Sequence, residues 1–217
     1  MLAIGNDAIF NSLNDKCVAI IGIGGVGGYA CEAIARSNIG KIVIMDFDKV
    51  DITNINRQII ALDSTVGKYK VDVMKERLLD INPNLEVIAL KEFYNDETKE
   101  LIFNENPDFI IDAFDTISGK IDLINECLNR KIKCISSMGM ANRFDPSMIK
   151  IMKLENTSND PVARILRPKF KGKKVMVVSS LEQPKKIADR VLSSTAFVPS
   201  VAGLYLASYV INTLLKG

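Results

Sequence analysis

A glycine-rich segment, GIGGVG at residues 22–27, follows an apolar run near the start of the 217-residue chain. Its glycines are Gly22, Gly24, Gly25 and Gly27. Glycines at this spacing between a strand and a helix permit a tight turn and let the backbone approach a phosphate group. The helix that follows offers free N–H groups and a partial positive charge. Alone, the pattern is most typical of NAD- and FAD-binding folds, so it predicts a bound nucleotide without identifying it.

Two acidic residues and a short polar run follow the next apolar segment. Asp46 and Asp48 come first, and Asn54, Arg57 and Gln58 lie close behind. Asp46 sits where a second strand would end, which is the usual position of a carboxylate that holds a ribose hydroxyl. NAD and ATP both contain such a ribose, so this carboxylate does not distinguish them.

Charged side chains further along favour ATP. Arg57 can bind phosphate as a bidentate fork and Lys70 as a point charge. Asp115 follows a predicted strand, so it would lie at the carboxyl edge of the sheet and could support Mg²⁺. Each has an alternative reading: Arg57 and Lys70 could be ordinary surface residues, and Asp115 could cap the following helix.

Composition excludes several other chemistries. The chain has no histidine, which removes Ser-His and Cys-His nucleophilic machinery. The pattern GxxxxGK[ST] of P-loop enzymes is absent. Four scattered cysteines form no CxxC pair, so the usual spacing of a structural zinc site is missing. Any reaction must therefore use carboxylates, lysine, arginine, backbone amides and a metal ion.

The hydrophobic periodicity predicts alternating strands and helices. Strands are expected at residues 16–21, 42–45, 86–90, 108–112 and 133–136, and helices from the glycine turn to about 37 and at 65–81, 97–103 and 117–130. Such alternation predicts an α/β fold with a Rossmann-like, mostly parallel sheet covered by helices on both faces. We expect one domain, with a nucleotide-binding core at residues 1–150 and a C-terminal extension at 151–217 packed on it.

The extension should contain strands at residues 147–153 and 173–179 with a helix between them, and residues 183–190 should be its most mobile part. Residues 196–215 carry no charge over a length at which a membrane span is conceivable. Because Pro199, Ser200 and Asn212 interrupt this segment, we expect a helix buried in the core or a dimer interface rather than a span. The scattered cysteines and the lack of a secretory signal pattern predict a cytoplasmic protein.

Five segments in order resemble the HesA/MoeB/ThiF superfamily of adenylating enzymes, relatives of the ubiquitin-activating enzymes. They are GIGGVG, residues 46–58, residues 65–71, Ile81-Asn82-Pro83 and the DAFD sequence at 112–115. The resemblance implies that Asp46 holds the ribose, that Arg57 and Lys70 hold the triphosphate, and that Asp115 supports Mg²⁺, with Asn54 and Gln58 in the same pocket. It implies that a substrate carboxylate attacks the α-phosphate of ATP, with Arg57, Lys70 and Asp115 as the catalytic residues.

The C-terminal half resembles the subgroup of tRNA threonylcarbamoyladenosine dehydratases. The segments that carry this likeness are residues 145–146, 160–164, 177–184 and 194–203. The resemblance implies a tRNA substrate whose carboxylate is adenylated and then attacked from within the same side chain, which closes a ring with loss of water. No enzyme thiol is needed, so Cys17, Cys31, Cys127 and Cys134 are expected to be buried structural residues.

A tRNA substrate requires a surface that binds phosphate. Residues 162–174 contain six basic side chains and no acidic one, although the whole chain has a net charge of only +2. An ordinary solvated charge run is the alternative. The predicted nucleic-acid contacts are Arg164, Arg167, Lys169, Lys171, Lys173 and Lys174.

Two other functions stay open. The first is an activating enzyme that adenylates the C-terminal glycine of a ubiquitin-like or sulfur-carrier protein, and the second is a non-catalytic nucleotide-binding protein. The resemblance further implies a homodimer and an N-terminal arm whose arginine reaches the neighbouring subunit's ATP. The sequence starts at residue 1, after the position of that arm, and its 182–193 segment is shorter than in the family. Both departures weigh against full catalytic competence more than against the fold or ATP binding.

Overall fold

The computed structural model describes residues 12–185 and 194–216. Within them, seven strands form one sheet in the order β3-β2-β1-β4-β5-β7-β6, and all neighbours are parallel except the β6–β7 pair. The strands are β1 (Cys17–Ile21), β2 (Lys41–Met45), β3 (Glu86–Leu90), β4 (Phe109–Asp112), β5 (Lys133–Ser137), β6 (Ile149–Lys153) and β7 (Met176–Ser180). Central strands such as β1 are apolar along their whole length because helices cover both faces.

Six α-helices connect or cover these strands in the described part of the chain. They are α1 (Gly27–Ala35), α2 (Lys70–Ile81), α3 (Glu100–Phe103), α4 (Ile117–Arg130), α5 (Pro161–Lys169) and α6 (Phe197–Leu214). The predicted α/β class and mostly parallel sheet are confirmed, and α5 is the helix expected between the last two strands.

Several predicted boundaries were wrong. The helix predicted from residue 65 begins at Lys70, because Thr65 closes a separate 3-10 turn in which its hydroxyl accepts from Leu62 N at 2.8 Å and donates to Ile60 O at 2.7 Å. An isolated antiparallel bridge to Lys49 keeps Tyr69, the residue before α2, in an extended conformation. The helix predicted at 97–103 is limited to α3, which begins at Glu100, and the helix predicted to reach residue 37 is α1, which ends at Ala35. The strands predicted to begin at residues 147 and 173 are β6 and β7, which begin at Ile149 and Met176.

Helices α1 and α6 pack closely on one face of the sheet. A Cβ atom at Gly203 of α6 would lie 2.2 Å from Val26 O, so only glycine permits this approach. By length and composition alone, α6 is the one described helix that could cross a membrane. Its residues Ala202, Leu206 and Val210 are fully buried in the core, as expected for a core helix.

All four cysteines are free. Cys17, Cys31 and Cys127 are buried as predicted, whereas Cys134 is only half-buried. Burial raises the pKa of the Cys17 thiol to about 12, which keeps it protonated and unreactive. The predicted mobility of residues 186–190 and the interpretation of the first residues fall outside the described part of the chain.

Candidate functional site

A cavity of about 340 Å³ opens at the carboxyl edge of the sheet, where β1, β2 and β4 end. Ligands of parallel α/β proteins bind at this edge, where the strand order reverses. The wall contains every predicted nucleotide-binding residue except Gly27, namely Gly22, Gly24, Gly25, Asp46, Asp48, Asn54, Arg57, Gln58, Lys70 and Asp115.

The glycine turn is shaped by contacts to two neighbouring strands. Gly22 has φ +89° and donates its N–H to Met45 O at 2.8 Å. A Cβ on Gly22 would lie 2.7 Å from Phe114 N, so the turn also abuts the chain that follows β4. Gly27 does not line the cavity. A Cβ there would lie 1.8 Å from Gly22 O, so Gly27 serves the packing of α1 against the turn.

Asp46 ties the glycine turn to the end of β2. Its Oδ2 accepts from Ile23 N at 2.7 Å and its Oδ1 accepts from Asp48 N at 2.9 Å. Burial raises the pKa of Asp46, and the Lys70 ammonium and these two N–H groups oppose that rise. The carboxylate thus faces the cavity in a fixed orientation, with lone pairs left to accept from a ribose hydroxyl.

Lys70 is the first residue of α2 and brings a cation to the cavity wall. Its Nζ donates to Asp48 Oδ2 at 2.7 Å, and its N–H donates to Asp48 O at 3.0 Å. The Lys70 side chain is 7% exposed and that of Asp48 is 47% exposed. Because the Asp48 carboxylate is about half exposed, it can remain hydrated if the Lys70 ammonium turns to a phosphate group, which would replace it as the partner of the buried cation.

Arg57 lies after a short 3-10 turn, Ile52–Asn54, that Asp51 caps. Arg57 Nη1 donates to Thr53 O at 2.9 Å and to Asn56 Oδ1 at 2.8 Å. Within the described residues, its Nε and Nη2 donate no hydrogen bond, so they are available to a ligand in the cavity. Asn54 lines the cavity as predicted, and its Oδ1 also accepts from Asp51 N at 3.1 Å, which holds the turn that presents Arg57.

Gln58 supplies the clearest sign that the cavity is built for a polar ligand. The side chain is buried, yet its Oε1 has no hydrogen-bond partner among the described residues. A buried acceptor without a partner costs about 1–3 kcal/mol. Together with the glycine cradle, this atom fits a nucleotide that donates a hydrogen bond.

Asp115 stands just after β4 at the cavity wall. Helix α4 has Thr116 at its N-cap position and no side-chain cap, so the alternative that Asp115 caps this helix is not realised. Its carboxylate is exposed and has no hydrogen bond or ion pair within the described part of the chain. No group of three or more metal-binding side chains occurs there either. A Mg²⁺ ion at Asp115 would therefore take its other ligands from phosphate and water.

Several wall residues were missed by the sequence reasoning. Phe47 and Phe93 form an edge-to-face pair with ring centroids 5.2 Å apart, and both line the cavity. Met140 and Pro199 also line it. The sequence could have pointed to Pro199, because it lies in the C-terminal segment that carries the family resemblance. Nothing in the sequence marks an apolar residue such as Met140 as part of the site.

The basic segment is placed away from the cavity, on and after α5. Five of its side chains are exposed and form no salt bridge with the described residues, and we call them the basic face: Arg164, Lys169, Lys171, Lys173 and Lys174. Arg167 is different. Its Nη1 donates to Thr157 O at 2.6 Å and to Thr157 Oγ1 at 3.0 Å, so its predicted role as a nucleic-acid contact is not supported by its placement.

Comparison with known proteins places the chain among adenylating enzymes. A model of the ThiF family matches residues 2–217. A tRNA threonylcarbamoyladenosine dehydratase of Bacillus subtilis is 48% identical over 236 residues, which cover 99% of this chain and 92% of that protein.

Solved structures agree with this match. The Escherichia coli tRNA N6-threonylcarbamoyladenosine dehydratase, TcdA, in complex with AMP superimposes with a TM-score of 0.91 and 31% identity, covering 97% of this chain and 90% of that one. The complex of the same enzyme with ATP has a TM-score of 0.90, with the same identity and coverage. From the family match along the chain and the identity to its relatives, the chain belongs to the ThiF family.

Proposed function

We propose that this protein is an ATP-dependent enzyme that acts on tRNA as a threonylcarbamoyladenosine dehydratase. The support is the name and nearly full-length match of the Bacillus subtilis relative, together with the AMP- and ATP-bound complexes of the Escherichia coli protein. The single structural observation that carries the proposal is the preformed cavity, which brings a glycine turn, two cations and a carboxylate to one edge of the sheet.

The proposed reaction has two steps. The carboxylate of the threonyl group attacks the α-phosphorus of ATP, pyrophosphate leaves, and a mixed anhydride with AMP forms. A nucleophile of the same side chain then attacks the acyl carbon, and AMP leaves with one oxygen of the original carboxylate. The net change in the nucleoside is the loss of one water. Alignment and charge stabilisation are sufficient for both steps, which agrees with a chain that has no histidine.

The wall residues divide this work by their chemistry. Asp46 would accept from the ribose, and the turn at Gly22 would bring backbone N–H groups to the phosphates. Arg57 and Lys70 would neutralise charge that develops on the phosphates as pyrophosphate departs. Asp115 would hold Mg²⁺, which supplies a Lewis acid for the phosphate oxygens when bound.

In this proposal the two substrates bind on different sides of β4. Asp46 follows β2, so the nucleoside end of ATP would lie on the β2–β3 side of the cavity. The basic face belongs to α5 and the chain leading into β7, on the other side of β4. Lys171, Lys173 and Lys174 precede the start of β7, which is parallel to β5, so they lie towards the edge of the sheet opposite the cavity. A tRNA bound there would extend along α5 to bring its modified nucleotide to the cavity.

A homodimer and a cytoplasmic location complete the proposal. Exposed apolar side chains occur on α6, with Phe197 65% and Leu204 46% exposed, and on the segment that carries Ile52 and Leu62. Exposed apolar surface of this kind is typical of interaction sites. Four free cysteines suit a reducing compartment.

ATP–pyrophosphate exchange tests the function directly. We expect exchange with tRNA that carries threonylcarbamoyladenosine and none with the same tRNA lacking the modification. Exchange that instead required a carrier protein with a C-terminal glycine would show an activating enzyme of the ubiquitin-like type. ATP binding without exchange in any mixture would show a non-catalytic nucleotide-binding protein.

A further inference from the structure

A buried salt bridge lies directly behind the cavity wall. Lys120 of α4 is 2% exposed and Asp112, the last residue of β4, is 1% exposed. Lys120 Nζ donates to Asp112 Oδ1 at 2.7 Å and to Ser137 O at 2.9 Å. Burying two charges costs several kcal/mol for each ion, which a well-formed pair only offsets. The pair therefore calls for an explanation other than stability.

The Asp112 carboxylate links this pair to the chain that leads to Asp115. Its Oδ2 accepts from Ser136 Oγ at 2.5 Å. Burial raises the pKa of Asp112, and Lys120, Ser136 and the backbone N–H of Phe114 oppose that rise. The Phe114 nitrogen is the atom that lies 2.7 Å from the position of a Gly22 Cβ, so the same short stretch touches the glycine turn.

The Phe114 ring is held from three sides. Lys120 Nζ lies 5.2 Å from its centroid, and the Tyr94 ring centroid lies 5.7 Å away. A Cβ on Gly119 would lie 2.7 Å from Phe114 Cε2, so the ring also rests on the first turn of α4. Both aromatic residues line the cavity. Lys120 thus contacts the side chain and, through Asp112, the backbone of the same wall residue.

We propose that Lys120 and Asp112 are positioning residues for the phosphate end of the cavity. They fix residues 113–115 so that the Asp115 carboxylate and the turn at Gly22 face the same phosphate groups. The inference rests on the proposed function, because it assigns Asp115 to Mg²⁺ bound with ATP. The Lys120–Asp112 pair would thus support, from behind the cavity wall, the residues proposed to contact the nucleotide.

The test measures how much Mg²⁺ strengthens ATP binding, using calorimetry on the full-length chain with and without the ion. Lys120→Met alone would leave Asp112 buried without a partner, so the main variant combines Lys120→Met with Asp112→Asn and contains no unpaired charge. Lys120→Arg, which keeps the charge with a different shape, is the second variant. Lys41→Met is the matched control, since Lys41 is also a lysine paired with two carboxylates, those of Glu86 and Glu105, but it starts β2 at the edge of the sheet opposite the cavity.

We expect the double variant to lose about tenfold or more of the Mg²⁺-dependent gain in ATP affinity, as for residues that orient metal ligands. Its affinity without Mg²⁺ should change less, and Lys41→Met should behave as wild type. A cooperatively folded double variant with the wild-type gain would overturn the inference. If that variant does not fold, Lys120→Arg decides in the same way. If the wild-type protein does not bind ATP, both the proposed function and this inference are overturned. If the wild type binds ATP and the variants keep its Mg²⁺-dependent gain in affinity, only this inference is overturned.

Discussion

The nucleotide cavity and the basic face differ in how their residues are held: buried and hydrogen-bonded in the cavity, exposed on the basic face. The cavity is defined by backbone geometry and buried side chains: Gly22 takes a positive φ, while Asp46 and Lys70 are less than one-tenth exposed and already hydrogen-bonded. The basic face consists of exposed cations without ion partners in the described chain. The first region can align reacting atoms before the ligand arrives, and the second can attract a polyanion without fixing its position.

This difference explains how far each region could be predicted from the sequence. The turn after β1 requires a glycine at position 22, and Asp46 directly follows β2. Because both positions are tied to the ends of strands, the sequence spacing predicted them correctly. Arg167 could not be separated from its neighbours, because a charge run does not reveal that one guanidinium bonds to Thr157. Lys120 was missed for a similar reason: a lysine in an amphipathic helix is typical of a solvated face, and only the tertiary structure buries it.

The same reasoning applies to the elements. Strands with buried apolar runs were placed within a few residues, whereas the start of α2 was set too early. The chain before Lys70 is a loop whose shape depends on the Thr65 hydroxyl and on the bridge from Lys49 to Tyr69. Side-chain hydrogen bonds and a single bridge leave no periodic signal.

Gly22→Ala should have the largest effect, because it alters the backbone on which the cavity depends. The positive φ costs about 1–2 kcal/mol for a non-glycine residue, and the clash with Phe114 N adds about 1–3 kcal/mol. We expect a lower free energy of unfolding and no measurable ATP binding. Gly67→Ala is the matched control, since Gly67 has φ +85° and no neighbour near its Cβ position. Equal stability and equal ATP binding in the two variants would contradict a preformed turn.

Arg57→Ala should lower ATP–pyrophosphate exchange by about 10²–10³-fold, the range for removing one donor to developing charge. The free energy of unfolding should change little, because the side chain bonds only to Thr53 and Asn56 nearby. Arg36→Ala, which breaks a surface pair with Glu32, serves as the control. Full exchange in the Arg57 variant would remove this residue from the site.

Replacing Lys171, Lys173 and Lys174 together by glutamine should weaken tRNA binding by about tenfold or more and flatten its salt dependence. ATP affinity should be unchanged, because the basic face lies apart from the cavity. Binding titrations at several salt concentrations measure both quantities. An unchanged tRNA affinity would show that the run is only a solvated surface, and a loss of ATP binding would show that the two regions are not separate.

The smallest effect should distinguish two neighbouring arginines. Arg164→Gln should reduce the slope of log affinity against log salt by about one, as expected for one phosphate contact. Arg167→Gln should leave that slope unchanged and instead lower stability by roughly 1–3 kcal/mol, because it removes the charged hydrogen bonds to Thr157. The reverse pattern would mean that Arg167 leaves Thr157 to bind RNA.

Transfer of a labelled oxygen tests the proposed reaction most directly. The protein would be incubated with ATP and tRNA whose threonylcarbamoyladenosine carries ¹⁸O in both carboxylate positions, and the AMP would be analysed by mass spectrometry. An acyl-adenylate that is opened by attack on its acyl carbon must leave one carboxylate oxygen on AMP. We predict one ¹⁸O atom in AMP for each nucleoside that loses water. Unlabelled AMP formed alongside the dehydrated nucleoside would contradict the proposed mechanism.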